Sequence, residues 1–313
     1  MPLALCALSH TPMYGINDPE PAVLVAVDAA IDQARAFVRD FDPELTVVFG
    51  PDHYNGIFYD MMPAFCIGSA ASSVGDWGTD AGPLPVDRGA ARRLVSAVLA
   101  DEIDVAQSEQ MHVDHGIAQP LEFLFGKGYP NPVVPVFINA VGLPLGPMRR
   151  VRLLGQSVGR ELLSWNKRVL VIGSGGLSHD PPIPRLEEVP PDVVARLIDG
   201  RNPSPELRAE RRRRVIEASR AHAAGDTTYQ QINPEFDREI MDTLSSGELA
   251  QSDSWSNSWM EETGGHSAHE IRSWVAAFAA LSAGGRYRVA DRGYWPVKEW
   301  MTGFGIMTAL QEA

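Results

Sequence analysis

Short runs in which nearly every position is apolar alternate, through the first half of the chain, with longer stretches in which apolar residues recur every three or four positions. LALCALS (3–9), LTVVFG (45–50), NPVVPVFINAV (131–141) and KRVLVIGSG (167–175) are of the first kind, and the more polar VAQSE (105–109) takes a strand's place after a helix. Unbroken apolarity over about six residues suits a strand covered on both faces. The longer pattern predicts helices near 20–41, 86–101 and 147–164. Strand–helix–strand alternation of this kind predicts an α/β fold with a central mixed, largely parallel sheet flanked by helices, residues 1–313 forming one domain.

The pattern changes at about 181–260, which opens on the proline-rich DPPIPRLEEVPP and continues through polar helices; it reads as a linker and helical insertion. Within it, RAERRRRVIEASR (208–220) is the only basic cluster, and it reads as a solvated helix face with Glu and Arg neighbours along the helix. HEIRSWVAAFAALSAG (269–284) is apolar nearly all round, which places that helix in the core.

Charge and cysteine content narrow the function classes. Lys and Arg total 27 against 40 Asp and Glu, a formal net charge of -13. Such a field repels nucleic acid and anionic membrane, so neither is expected as a partner. The two cysteines, Cys6 and Cys66, lie in apolar segments, as reduced core thiols do. The N-terminal residues have no basic signal-peptide region, and no run approaches the roughly 18 apolar residues of a membrane span. A cytoplasmic protein is expected.

Eight histidines occur, and three stand just after predicted strands: His10 in ALSHTP, His53 in GPDHYNG and His179 in IGSGGLSHD. Ligand pockets in α/β sheets form beyond the carboxyl ends of strands, so these three could converge despite their separation in sequence. In MHVDHGIAQPLEFLF, His112 and His115 are three apart, a spacing that can share a helical face, with Asp114 as a capping residue. His115 is favoured over His112 because Gly116 lets the backbone approach a pocket. Glu270 is the best carboxylate to balance a metal, yet Ser267-Ala-His-Glu270 also spells a capping box, and the pattern alone favours the cap. His266 and His269 read as local structure. GSGGLSH lacks the lysine of a phosphate loop, and no G-x-S-x-G elbow supports Ser178 as a nucleophile; its glycines are read as letting the chain pass close to a pocket and present His179.

Taken together, LSHTP, FGPDHYNGIFYDMMPAFCIG, VDHGIAQPLEFLFG, PVVPVFINAV, NKRVLVIGSGGLSHDPP and HEIRSWVAAFAALSAGG resemble the type III extradiol ring-cleavage dioxygenases, the LigB-like superfamily, in the same order over nearly the whole chain. The resemblance implies a mononuclear Fe(II) held by His10, His53 and Glu270, reversing the capping-box preference. It also implies His179 as general base and His115 as proton donor. The implied substrates are dioxygen and a carboxyalkyl catechol such as 3-(2,3-dihydroxyphenyl)propionate or its cinnamate analogue, opened to a 2-hydroxy-6-oxo dienedioate. Family members form homo-oligomers, commonly tetramers. Alternatives are an extradiol enzyme for another substituted catechol, a zinc hydrolase on the same two histidines and glutamate, or a non-catalytic scaffold; retention of both His115 and His179 argues against the last. A carboxylate tail asks for a cationic pocket, and the arginine-rich helix is a poor candidate because helices so uniformly charged are usually exposed.

Overall fold

The computed structural model describes residues 3–129 and 131–312. Its strands are β1 (Leu3–Leu8), β2 (Leu45–Gly50), β3 (Phe65–Gly68), β4 (Ala71–Val74), β5 (Ala81–Pro83), β6 (Ala106–Ser108), β7 (Met111–Val113), β8 (Val133–Ile138), β9 (Val169–Ser174), β10 (Tyr287–Val297) and β11 (Thr302–Gln311). Its helices are α1 (Pro21–Phe41), α2 (Arg88–Ala100), α3 (His115–Phe125), α4 (Met148–Leu163), α5 (Pro191–Asp199), α6 (Pro205–Ala223), α7 (Pro234–Ser246), α8 (Asn257–Gly264) and α9 (Ile271–Ser282).

Eight strands form one sheet in the order β10-β11-β1-β9-β2-β8-β3-β6, and β5-β4-β7 form a small second one. The centre, β1-β9-β2-β8, is parallel, while β11 and β3 run antiparallel to their inner neighbours. The expected mixed sheet is therefore present, with its parallel strands in the middle. Each central strand is buried from end to end because side chains alternate between two covered faces. Leu3, Leu5 and Ala7 of β1 join Val169 and Val171 of β9 on the face covered by α4 and α9. Ala4, Cys6 and Leu8 join Leu170 and Ile172 on the other face, with α1 and α3. Both cysteines are buried free thiols, and no helix is long and apolar enough to cross a membrane among the described residues.

The sequence pattern missed the C-terminal hairpin β10–β11 and the short strands β3, β4, β5 and β7, whereas β6 falls within VAQSE (105–109). β10 carries charged residues along a half-exposed sheet edge, and β11 is punctuated by Gly303 and Gly305, so neither shows a clean period of two. Four helices, α5 to α8, occupy most of the stretch between 181 and 264.

The helix α9 is buried over its whole length through Leu281, including Trp274 and Phe278; each such large side chain contributes about 1.5–3 kcal/mol relative to exposure. It lies unusually close to α4. A Cβ on Gly155 would fall 2.1 Å from the Ala276 carbonyl oxygen, and one on Gly159 would fall 2.1 Å from that of Ala280. Two glycines spaced by one turn thus let α9 press its backbone against α4, which fixes the position of the residues that precede α9. Gly159→Val is expected to lower stability by about 3 kcal/mol in denaturant unfolding, since backbone cannot move aside as a side chain can. Gly146→Ala, at a site with open space around the added carbon, should stay within about 0.5 kcal/mol.

Candidate active site

The GPDHYNG turn follows β2 and is tied by Asp52. Its carboxylate accepts from the backbone N–H groups of Asn55 (3.1 Å), Gly56 (2.9 Å) and Ile57 (3.0 Å), and Tyr54 takes the left-handed conformation at φ 57. Burial, reinforced by nearby Asp114, pushes the Asp52 carboxyl up to about 7. The turn aims His53 back over the sheet. His10 and His179 come from the chain just beyond β1 and β9, and because β1, β9 and β2 are adjacent and parallel, all three strand-end histidines meet. Their convergence is a consequence of strand order.

Each histidine of the cluster is held by its Nδ1. His53 Nδ1 meets Asp114 Oδ2 at 3.0 Å, His115 Nδ1 meets Asp76 Oδ2 at 2.6 Å, and His179 Nδ1 donates to the Leu177 carbonyl at 2.9 Å. His10 Nδ1 meets Ser174 Oγ at 2.9 Å; that hydroxyl donates to the Gly116 carbonyl at 2.5 Å and so accepts from the ring. An imidazole that donates through Nδ1 leaves its Nε2 as the lone-pair nitrogen when neutral. Four Nε2 atoms are thereby presented to one space.

Asp114 organises much of this. One carboxylate oxygen caps α3 by accepting from Gly116 N–H at 2.9 Å. The other accepts from His53 N–H at 2.8 Å and Asn55 Nδ2 at 2.9 Å as well as from the His53 ring. Burial alone would raise its pKa, but His53 and His115 hold it far below the ordinary carboxylate range.

Glu270 completes the cluster. The Ser267–Glu270 capping box is absent: Ser267 makes no side-chain cap bond, and the Glu270 carboxylate turns inward, accepting from Gly176 N–H at 2.9 Å. A side chain at Gly176 would reach to 2.9 Å from the His179 ring, so glycine there allows both contacts. Glu270 Oε2 lies 3.4 Å from His10 Nε2, and Oε1 lies 3.0 Å from His53 Nε2 and 3.2 Å from His179 Nε2. The carboxylate is 1% exposed. Burial opposes its charge, yet the surrounding imidazoles hold its pKa well below the usual value. His53 is correspondingly held well above its usual value by Asp114 and Glu270 against the effect of burial, whereas burial drives His10 down to about 3.

Lone-pair nitrogens this close to a buried carboxylate repel it unless a proton or a cation lies between them. A divalent cation satisfies the whole set at once, and two imidazoles with one carboxylate is a donor set that suits it and leaves positions free for other ligands. The site thus fits a metal cofactor. Nitrogens of His10, His53 and His115 also lie within 4.8 Å of one another, so geometry brings a third histidine beside the pair; the His53 and His115 rings stack at 4.5 Å. The remaining histidines sit elsewhere in the network. His266 Nδ1 bonds Asp180 at 2.7 Å and His269 Nε2 bonds Glu261 at 3.1 Å, the local structural roles expected of them, and His112 lines a wall.

The cluster opens into a cavity of about 510 Å³ with Met13, Trp77, Ile183 and Trp300 among its apolar lining. The arginine-rich helix is exposed as expected at Arg208, Arg212, Arg213 and Arg214, yet it also forms the far wall. Arg208, Arg212, Arg214 and the half-buried Arg211 of α6 line this cavity, because α6 is docked by Val215, Ile216, Ser219 and His222, one turn or two further on. Ser219 Oγ donates to the Glu299 carbonyl at 2.8 Å, and His222 Nδ1 donates to that of Lys298 at 3.0 Å. Asp76 and Ser174 were also not singled out in the sequence. Asp76 sits in GDWG, a turn with left-handed Gly75 and Trp77, and nothing local announces that it would face His115.

A mixed α/β sheet, parallel at its centre, with histidines and a carboxylate that fit a metal at its strand ends and a cavity above them, is the architecture of a metal-dependent enzyme. The family model described as the catalytic LigB subunit of aromatic ring-opening dioxygenase matches residues 4–305, and the chain belongs to that family; it is an extradiol ring-opening dioxygenase, an oxidoreductase. It is 58% identical over 310 residues, 99% of each chain, to a protein of Rhodococcus sp named 2,3-dihydroxyphenylpropionate/2,3-dihydroxicinnamic acid 1,2-dioxygenase. Proteins of the same name from Rhodococcus jostii (strain RHA1) and Burkholderia vietnamiensis (strain G4 / LMG 22486) are 56% and 51% identical, over 99% of this chain in both cases and 99% and 98% of theirs. A crystal structure of an uncharacterized protein from Escherichia coli K12 shares the fold at 14% identity and a TM-score of 0.55, covering 97% of this chain and 98% of that one.

Asp114→Ala removes the acceptor that fixes His53 in ring and backbone. It is expected to weaken metal binding by about 10- to 100-fold, read by titration against a competing chelator; unchanged affinity would show that the turn holds His53 unaided.

Proposed function

We propose that the enzyme opens the ring of 3-(2,3-dihydroxyphenyl)propionate, or of its cinnamate analogue, beside the hydroxyls, with Fe(II) as its metal and both atoms of dioxygen entering a 2-hydroxy-6-oxo dienedioate. The observation that carries this reading is the meeting of His10, His53 and Glu270 with His115 and His179 on one cavity. The names of the relatives supply the substrate. The same reading takes the enzyme as cytoplasmic and homo-oligomeric, commonly tetrameric in such families.

His10, His53 and Glu270 are the proposed ligands. Glu270 is the anion between the two histidines, whose Nδ1 bonds to Ser174 and Asp114 fix ring orientation. Fe(II) bound there would supply the electron transfer between catechol and triplet dioxygen that neither reactant makes directly. His179 is the proposed base. Its Nδ1–H is committed to the Leu177 carbonyl, so Nε2 takes the phenolic proton, and Glu270 at 3.2 Å favours the imidazolium that results.

His115 is the proposed acid. Asp76 accepts from its Nδ1–H and stabilises its protonated form, and Asp114 adds to this; together they raise its pKa against the effect of burial. Nε2 then carries the proton to be given to the ring-cleavage intermediate. Two histidines in different hydrogen-bonded settings can thus remove and return a proton within one turnover.

Protein reconstituted anaerobically with Fe(II) is expected to consume oxygen and yield a yellow product with a catechol; no uptake with any catechol by fully loaded protein would overturn the proposal. His115→Ala and His179→Ala are expected to keep iron and lose about 10²–10⁴-fold in turnover, while His10→Ala and His53→Ala lose the metal. Metal analysis beside oxygen uptake separates the roles, and equal iron loss in all four variants would refute the division.

A further inference from the structure

The cavity is electrically two-sided. Its floor holds Glu270 and Asp76, both engaged with histidines. Its opposite wall is made of guanidinium groups from α6, two of which, those of Arg208 and Arg212, already have partners. Arg208 Nε donates to the Pro203 carbonyl at 3.2 Å, and Arg201, just before the helix, pairs with Asp60 at 2.8 Å and Asp199 at 2.6 Å. Arg212 lies over the Trp77 ring at 5.5 Å. Arg213 points away from the cavity and pairs with Glu217 at 3.2 Å.

Arg211 differs from these. It lines the cavity and, like Arg214, makes no ion pair or hydrogen bond among the described residues, but it is half-buried where Arg214 is exposed. Burial and the neighbouring charges of Arg196 and Arg214 push its pKa below the usual arginine range. A desolvated cation beside like charges is a standing cost, and an anion entering the cavity would relieve it. A planar fork of donors also matches a carboxylate in particular.

The separation suits a ring with a short tail. The Trp77 ring lies 5.5 Å beneath the Arg212 guanidinium and 6.4 Å from the His115 ring, so one aromatic side chain spans from the arginine wall to the histidine cluster. We propose that Arg211, flanked by Arg212, binds the side-chain carboxylate of the catechol whose ring lies at the His10–His53–Glu270 cluster, making α6 the element that selects acid-tailed substrates. This rests on the ring-opening function argued above. Arg211 is a binding residue in this scheme and takes no part in the proton transfers.

The test compares kcat/KM of the Fe(II)-loaded full-length enzyme for 3-(2,3-dihydroxyphenyl)propionate with that for 3-propylcatechol, which keeps the tail and lacks the carboxylate. Wild type is expected to favour the acid. Arg211→Gln should reduce that preference by about 10- to 100-fold, the loss of a charge-assisted bond, Arg211→Lys should restore part of it, and Arg213→Gln should leave it unchanged. Iron content and circular dichroism identify a misfolded variant, in which case the lysine variant and the inhibition constant of 3-phenylpropionate on wild type, against that of propylbenzene, carry the test. Equal losses on both substrates, an unchanged preference in Arg211→Gln, or no preference in wild type with both catechols opened would each overturn the carboxylate site while leaving the ring-opening function intact. Wild type that opens neither catechol would overturn that function itself.

Discussion

The buried carboxylate of Glu270 is the constraint on which the site depends. A charge at 1% exposure persists only where its surroundings return what water would have given. Here three imidazoles and one backbone N–H do so, and each imidazole is aimed by a partner on its far side. The arrangement is closed in both directions: removing an outer acceptor frees a ring, and removing the carboxylate leaves the rings facing each other. Bonds at Nδ1 therefore determine what can occupy the space at Nε2, as expected where a cation is bound.

That carboxylate stands just before α9, and its position depends on packing far from any polar atom. Gly155 and Gly159 bring α9 onto α4, Trp274 of α9 donates through Nε1 to the Gly175 carbonyl at 2.9 Å, and the glycine-rich loop is drawn under the cluster. Core packing and site geometry are thus one problem for this chain. A shift of α9 large enough to admit a side chain at Gly159 would move Glu270 with it.

Much of this was visible in the sequence where chemistry and periodicity coincide. Fully apolar runs marked β1, β2, β8 and β9, and the histidines at their ends marked the pocket, because strand ends in a parallel sheet share an edge. Local pattern misassigned Glu270, since S-x-x-E states what a helix terminus can do and not where a carboxylate points. Resemblance corrected it. Arginines at 208 and 212 to 214 are exposed, as their composition suggested, whereas the docking through Ser219 and His222 that sets α6 against the cavity is a tertiary fact. Asp76 was invisible for the same reason, its partner His115 lying 39 residues away.

The C-terminal hairpin, unseen in the pattern, has a share in the chemistry through His179. Beyond β9 the chain continues beside β11: Leu177 N–H donates to the Gly303 carbonyl at 3.1 Å, Gly303 N–H to that of Ser178 at 2.9 Å, and His179 bridges Thr302. Asp237 of α7 then clamps Ser178 by accepting from its N–H at 2.6 Å and its hydroxyl at 2.7 Å, with Tyr294 of β10 bonded to the same carboxylate at 2.7 Å. Burial raises the Asp237 pKa, and these bonds from Tyr294 and Ser178 oppose that rise. The base proposed here is therefore carried on a segment fastened from two sides, by a strand and by a helix from the stretch between 181 and 260. Those helices serve the site twice, since α7 sets His179 from behind while α6 faces it across the cavity with the arginines.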